Sequence, residues 1–169
     1  MSRFVAIDFE TAAYARDSAC SIGMVTVANG KIERREHFLI CPPSPDFAFT
    51  HIHGLTWADV QDAPGFDKLW PRLRGLLEGA DFLAAHNASF DRGVLGACCR
   101  TGGLAPPEQP FVCTVQLARR QWNIRPTRLP NVCAELGITL RHHDALSDAE
   151  ACARIVMAAE REGWVFGGV

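Results

Sequence analysis

Residues 3–40 read RFVAIDFETAAYARDSACSIGMVTVANGKIERREHFLI, and this stretch decides the fold. Residues 3–8 (RFVAID) are an apolar run of strand length and predict a buried strand. Residues 20–28 (CSIGMVTVA) and 31–40 (KIERREHFLI) flank Asn29-Gly30, a dipeptide that accepts two positive φ angles, so they predict a hairpin. Asp8 and Glu10 stand at the carboxyl end of the first strand. Period-two alternation puts both carboxylates on one face and Phe9 on the other. Carboxylates held this way repel one another, and an all-oxygen pair suits Mg²⁺ or Mn²⁺ better than Zn²⁺. By itself, such a pair also fits a solvated turn.

Working outward, residues 41–46 (CPPSPD) cannot continue a strand and form a loop. A helix follows Thr56, Pro64-Gly65 interrupts the chain, and another helix is expected near 66–78. Residues 81–85 (DFLAA) predict a short buried strand, and Ser89 to Arg100 a helix that stops at Gly102-Gly103. After the loop 105–110 (APPEQP) come a short strand over 111–113 and helices near 114–121 and 129–136. Ser147-Asp148-Ala149-Glu150 has the pattern of a capping box opening a last helix that runs to Glu162. The tail Gly167-Gly168-Val169 is expected to fray. Three strands followed by alternating helices and strands predict an α/β fold, a mixed five-stranded sheet flanked by helices. With 169 residues and no repeat or linker, residues 1–169 read as a single domain.

The composition, 48% hydrophobic and 21% charged, is that of a globular chain able to build a core without covalent staples. No apolar run approaches the ~18 residues of a membrane span. The opening MSRFVAIDFE lacks the apolar core of a signal peptide, so a cytoplasmic protein without membrane contact is expected. The 7 cysteines show neither CxxC pairing nor zinc-site spacing with histidine, and read as small reduced hydrophobes. A net charge of −2 excludes a general basic field. Locally the balance differs: Arg119, Arg120, Arg125, Arg128 and Arg141 face only Glu135 within 114–142, and Trp122 lies among them. Arginine with an aromatic can track phosphates and stack a base, although a solvated helix end and loop look the same in sequence.

Two further acids occupy comparable places. Asp91 lies in HNASFD (86–91), where a strand gives way to a helix, and Asp148 opens the last helix. Each also suits the helix macrodipole. All the acids fall where strands end or helices begin, the edge at which open α/β sheets build sites. Ala145, Ala149, Ala153 and Val156 form a stripe allowing close approach to the sheet, and Asp148 beside it can reach Asp8. His143 precedes Asp148 by five residues; an unperturbed imidazole titrates near ~6.5, suited to taking a proton from water. His142 reads as an ordinary residue of a polar loop.

At this point the residues resemble a known family. Asp8-x-Glu10-Thr11, His86-Asn87-x-x-Phe90-Asp91 and His143-x-Ala145-x-x-Asp148-Ala149 are similar to the three exonuclease motifs of the DEDDh family. That family includes the proofreading epsilon subunit of bacterial DNA polymerase III and has a ribonuclease H-like fold. Ile52-His53-Gly54-Leu55-Thr56 resembles its segment between the first two motifs, and 111–138 its stretch before the third, so the likeness spans about residues 3–160. The resemblance implies a 3′→5′ exonuclease working with two Mg²⁺ or Mn²⁺ ions held by Asp8, Glu10, Asp91 and Asp148. It implies His143 as general base, and Asp144 in place of tyrosine agrees with the histidine subclass. Thr11 would meet the terminal ribose, and His53 and Phe90 would shape the pocket for the last nucleotide. The products would be nucleoside 5′-monophosphates released from single-stranded or frayed 3′ ends, with DNA favoured over RNA.

Ala12-Ala13 replaces the Thr-Gly of many relatives, which predicts a different loop path beside the site. No long polymerase-binding tail follows the last helix, so both a stand-alone nuclease and a polymerase associate remain open. Two other readings stay beside the exonuclease: an enzyme that trims RNA or short oligonucleotides, and a non-catalytic nucleic-acid-binding module on the same fold.

Overall fold

The chain is described here by a computed structural model covering residues 1–168. Strands β1 (Phe4–Thr11), β2 (Ala19–Ala28) and β3 (Lys31–Leu39) form an antiparallel meander. Asn29 and Gly30 take φ of 52° and 70°, the conformation a tight hairpin demands. β4 (Phe82–Ala85) pairs parallel to β1, and β5 (Phe111–Cys113) parallel to β4, giving the sheet order β3-β2-β1-β4-β5. The expected mixed five-stranded sheet is therefore present, in a ribonuclease H-like arrangement.

Helices α1 (Thr50–His53), α2 (Trp57–Val60), α3 (Phe66–Leu77), α4 (Ala88–Thr101), α5 (Thr114–Trp122), α6 (Leu129–Leu136) and α7 (Ala145–Arg161) complete the fold. Alternation along β1 sorts the core into two layers. Val5, Ile7 and Phe9 face Leu69 and Leu73 of α3 and Val94 and Leu95 of α4. Phe4 and Ala6 face the other layer, with Leu117 of α5, Val132 of α6 and Ile155 of α7. Asp8 and Glu10 continue the Phe4–Ala6 row, so the fold turns them toward α7.

Helix α7 lies close against the sheet because both surfaces are small. Ala145, Ala149 and Ala153 are buried, and a Cβ added at Gly23 of β2 would run into the Ala145 carbonyl and lie 2.6 Å from the Leu146 Cα. Only a glycine at 23 permits that approach.

Several boundaries differ from the expectation. β1 continues in register to Glu10 and reaches Thr11 through an irregularity, so Glu10 stands inside the strand rather than past its end. The short α1 carries no strong periodic signal of its own and closes on Gly54 at φ 79°. Ser147 does not cap α7. The helix begins at Ala145 with Asp144 as cap, its carboxylate accepting the Ser147 N–H at 3.0 Å, while the Ser147 hydroxyl accepts the Arg141 N–H at 2.8 Å. Asp144 is the stronger acceptor for those first amides, and starting earlier buries Ala145. Trp164 and Phe166 pack on Phe82, with ring centroids 6.0 and 4.5 Å away; of the tail expected to fray, Val169 lies outside the described residues. Among the described residues no helix is long and apolar enough to cross a membrane.

Candidate active site

Three elements bring the predicted acids together. β1 supplies Asp8 and Glu10, and α7 supplies Asp148 from its first turn, with oxygens of all three within 4.8 Å of one another. Asp91 reaches the same place from α4. Only His86-Asn87 separates β4 from that helix, and Asn87 makes the turn at φ 63°. Asp91 is 1% exposed and its Oδ1 accepts the Phe9 N–H at 3.0 Å, so it locks α4 onto β1 between the other two acids. It stands beside the three-carboxylate cluster rather than within it.

The electrostatics follow from burial and like charge. Burial, and then the neighbouring Asp91, hold the Asp8 carboxyl well above the usual range. Glu10 is pushed up to about 8, by burial first and then by Asp148 and Asp91. Burial raises Asp91 to about 7 against the opposing Phe9 N–H. Asp148 is also raised by burial, although the His143 N–H and the His142 ring favour its ionised form. Among the described residues no lysine or arginine pairs with Asp8, Glu10 or Asp91. The Asp148 Oδ1, buried and without a hydrogen-bond partner, is a further unmet demand. An all-oxygen set with uncompensated charge and an orphaned carboxylate oxygen fits a hard divalent cation.

His143 takes φ of 67°, donates its backbone N–H to Asp148 Oδ2 at 3.2 Å and presents an exposed ring. Burial and the adjacent His142 hold its pKa below the ordinary imidazole value. His142 departs from expectation: its Nδ1 lies 2.8 Å from Asp148 Oδ2, and its ring stacks on His143 with centroids 3.8 Å apart. The His-His doublet immediately before a helix cap was its one signal in sequence. His142, His143 and Asp148 form a second group whose ligand atoms lie within 4.8 Å, sharing Asp148 with the first.

Of the residues expected at the terminal nucleotide, Thr11 is buried and its carbonyl receives His53 Nε2 at 3.1 Å. His53 Nδ1 accepts the Leu55 N–H at 3.1 Å, which assigns the proton to Nε2. Burial lowers the pKa of that ring. His53 lines a cavity of about 350 Å³ with Glu10, Leu55 and His143. Phe90 sits apart from it in the first turn of α4, packed on the core with the Arg16 guanidinium 5.3 Å from its ring centroid. His143 also lines a second opening of about 470 Å³, together with Asp8, His86, Arg128, His142 and Asp148.

The geometry has counterparts among known proteins. Residues 5–156 match the exonuclease family (RNase_T). The chain is 33% identical over 170 residues to exodeoxyribonuclease 10 of Escherichia coli, covering 94% of this chain and 69% of that one. It is 31% identical over 159 residues to the PolC-type DNA polymerase III of Thermotoga petrophila, covering 91% of this chain but only 12% of the polymerase. Among solved structures, exonuclease X in complex with 5′-overhanging duplex DNA superposes at TM-score 0.78 with 27% identity, covering 96% of this chain and 94% of that one. The nuclease domain of 3′hExo, a DEDDh family member bound to rAMP, shares the fold at TM-score 0.79 and 19% identity, covering 96% and 93%. Matched from residue 5 to residue 156 and folded like these nucleases, the chain belongs to the exonuclease (RNase_T) family.

Proposed function

We propose that the chain is a 3′→5′ exonuclease, acting as one domain, that releases nucleoside 5′-monophosphates from single-stranded or frayed 3′ ends, with DNA favoured over RNA. The observation that carries this reading is the convergence of Asp8, Glu10 and Asp148 within 4.8 Å, beside Asp91 and His143. Asp8, Glu10, Asp91 and Asp148 would hold two Mg²⁺ or Mn²⁺ ions. Bound there, such ions neutralise the carboxylates and stabilise the charge that develops on the scissile phosphate. The hydrogen bond from Phe9 holds Asp91 in place, and those from His142 and His143 hold Asp148.

His143 is the general base in this reading. Its ring nitrogens make no hydrogen bond to the other described residues, so a lone pair is free to take the proton of the water attacking phosphorus. The bond from phosphorus to the 3′ oxygen of the penultimate nucleotide breaks, and that oxygen takes a proton from solvent. Thr11 and His53 would serve the terminal nucleotide, their bond stiffening the cavity wall beside Glu10, and Phe90, outside that lining, would act by packing the first turn of α4 that carries Asp91. The name of the Escherichia coli relative, exodeoxyribonuclease 10, supports DNA as substrate. The PolC-type relatives support association with a DNA polymerase, although the chain spans only 12% of their length. Seven free cysteines suit a reducing cytoplasm.

A time course with Mg²⁺ or Mn²⁺ on two 5′-labelled single strands of one sequence, DNA and RNA, tests the reading. A ladder shortening from the 3′ end, absent with EDTA and in Asp8→Ala, is expected, with DNA cut faster. Undiminished cleavage by a folded Asp8→Ala protein would remove the metal assignment. Absence of cleavage with metal bound would favour a short-oligonucleotide enzyme or a binding module.

A further inference from the structure

We propose that Arg128 binds a phosphate of the strand that remains after cleavage, in the second opening that His143 lines beside the terminal-nucleotide pocket. The assignment rests on the exonuclease reading above. His143 lines both cavities at the carboxylate cluster: the one containing Glu10, His53 and Leu55, and the one containing Asp8, His86 and Arg128. In this proposal a strand whose last nucleotide occupies the first passes the carboxylates and leaves through the second, which shares His143 with it. That exit begins among carboxylates, and Arg128 is the arginine lining it. It forms no ion pair with another described residue, and its side chain is exposed.

The backbone holds this arginine in place. Thr127 and Leu129 on either side are buried, at 8% and 4% exposure. The Thr127 carbonyl accepts from His86 Nε2 at 3.0 Å, and its hydroxyl accepts from Arg119 Nε at 2.9 Å while donating to the Ile124 carbonyl at 3.0 Å. The Arg128 carbonyl accepts the Asn131 and Val132 N–H groups at 3.0 and 3.1 Å as α6 starts. His86, whose Nδ1 is 2.8 Å from the Thr114 hydroxyl, thus ties the end of β4 to the loop carrying Arg128. A guanidinium on so fixed a base, free of carboxylate partners, is prepared for a phosphodiester by fork geometry as well as charge.

The test compares wild type, Arg128→Ala and Arg128→Lys on a single-stranded DNA oligonucleotide and on the p-nitrophenyl ester of thymidine 5′-monophosphate, which has no retained strand. Arg128→Ala should lower kcat/KM on the oligonucleotide about 10- to 100-fold, mainly through KM. It should flatten the dependence of log kcat/KM on log salt by about 0.7. On the ester the loss should be at least ten-fold smaller. Arg128→Lys should restore the salt slope and only part of the affinity. Equal losses on both substrates, or an unchanged salt slope, would overturn the assignment. Wild-type protein inert toward both substrates would instead overturn the exonuclease reading, and the Arg128 assignment with it.

Discussion

His143 stands at φ 67°, a conformation that few residues other than glycine adopt but that histidine tolerates better than most. The turn aims its backbone N–H at Asp148 and leaves its imidazole open, so in the proposed mechanism one residue would both steady a metal ligand and supply the base. Burial and the adjacent His142 hold its pKa below the ordinary value, which favours the neutral imidazole the proposed base role requires. The rate should therefore fall only on the acid side, with a limb below ~6.5. His143→Ala should lower kcat by about 10²- to 10⁴-fold and abolish that limb while metal still binds, a result read from pH–rate profiles and Mn²⁺ titration. His142 acts at one remove through its 2.8 Å contact with Asp148. His142→Ala should weaken metal affinity by about 10- to 100-fold, with a smaller effect on kcat at saturating metal. Equal metal affinity in the variant would show that the contact contributes nothing to orientation.

Between elements, the contact that sets the site is α7 against β2. Gly23 has no Cβ, and the start of α7 fills the space one would occupy. Gly23→Ala must push Ala145 and Leu146 away, and Asp148 sits one turn from that point. The expected outcome is a loss of about 1–3 kcal/mol in stability together with a larger fall in activity. Denaturant unfolding alongside turnover checks both, and an unchanged rate would show that the Asp148 position does not depend on this contact. The Asp91 bond to the Phe9 N–H does the same work between α4 and β1.

For the whole molecule, the carboxylate cluster is a liability that the proposed cations would remove. Glu10 rises from 4.5 to about 8 and Asp91 from 3.8 to about 7 in the folded chain, so the metal-free fold binds more protons than the unfolded chain across that interval. A raised carboxyl pKa makes stability greatest at low pH and loses it as pH rises through the folded value. In EDTA the thermal midpoint should thus decline between about pH 4.5 and pH 8 from these groups, and Mg²⁺ should abolish the decline. Asp8→Asn should flatten the metal-free profile by removing one of the repelling charges. A midpoint indifferent to both Mg²⁺ and Asp8→Asn at pH 8 would show that the cluster stores no such repulsion.

The hairpin at Asn29-Gly30, the alternation along β1 and the order of strands and helices were legible in sequence because each depends on residues only a few positions apart. Alternation alone put Asp8 and Glu10 on one face, and the three motifs singled out Asp91, His143 and Asp148. Partner choice was not legible. Asp144 displaced Ser147 as the cap of α7, and His142 turned from a loop residue into a partner of Asp148. Arg128 and His86 met at one opening across 41 intervening residues. Such contacts join segments far apart in the chain, and their geometry follows from how closely helices settle on the sheet. Local patterns therefore determined the elements and the identities of the acids, whereas close packing at Gly23 and Asp91 decided which side chains meet.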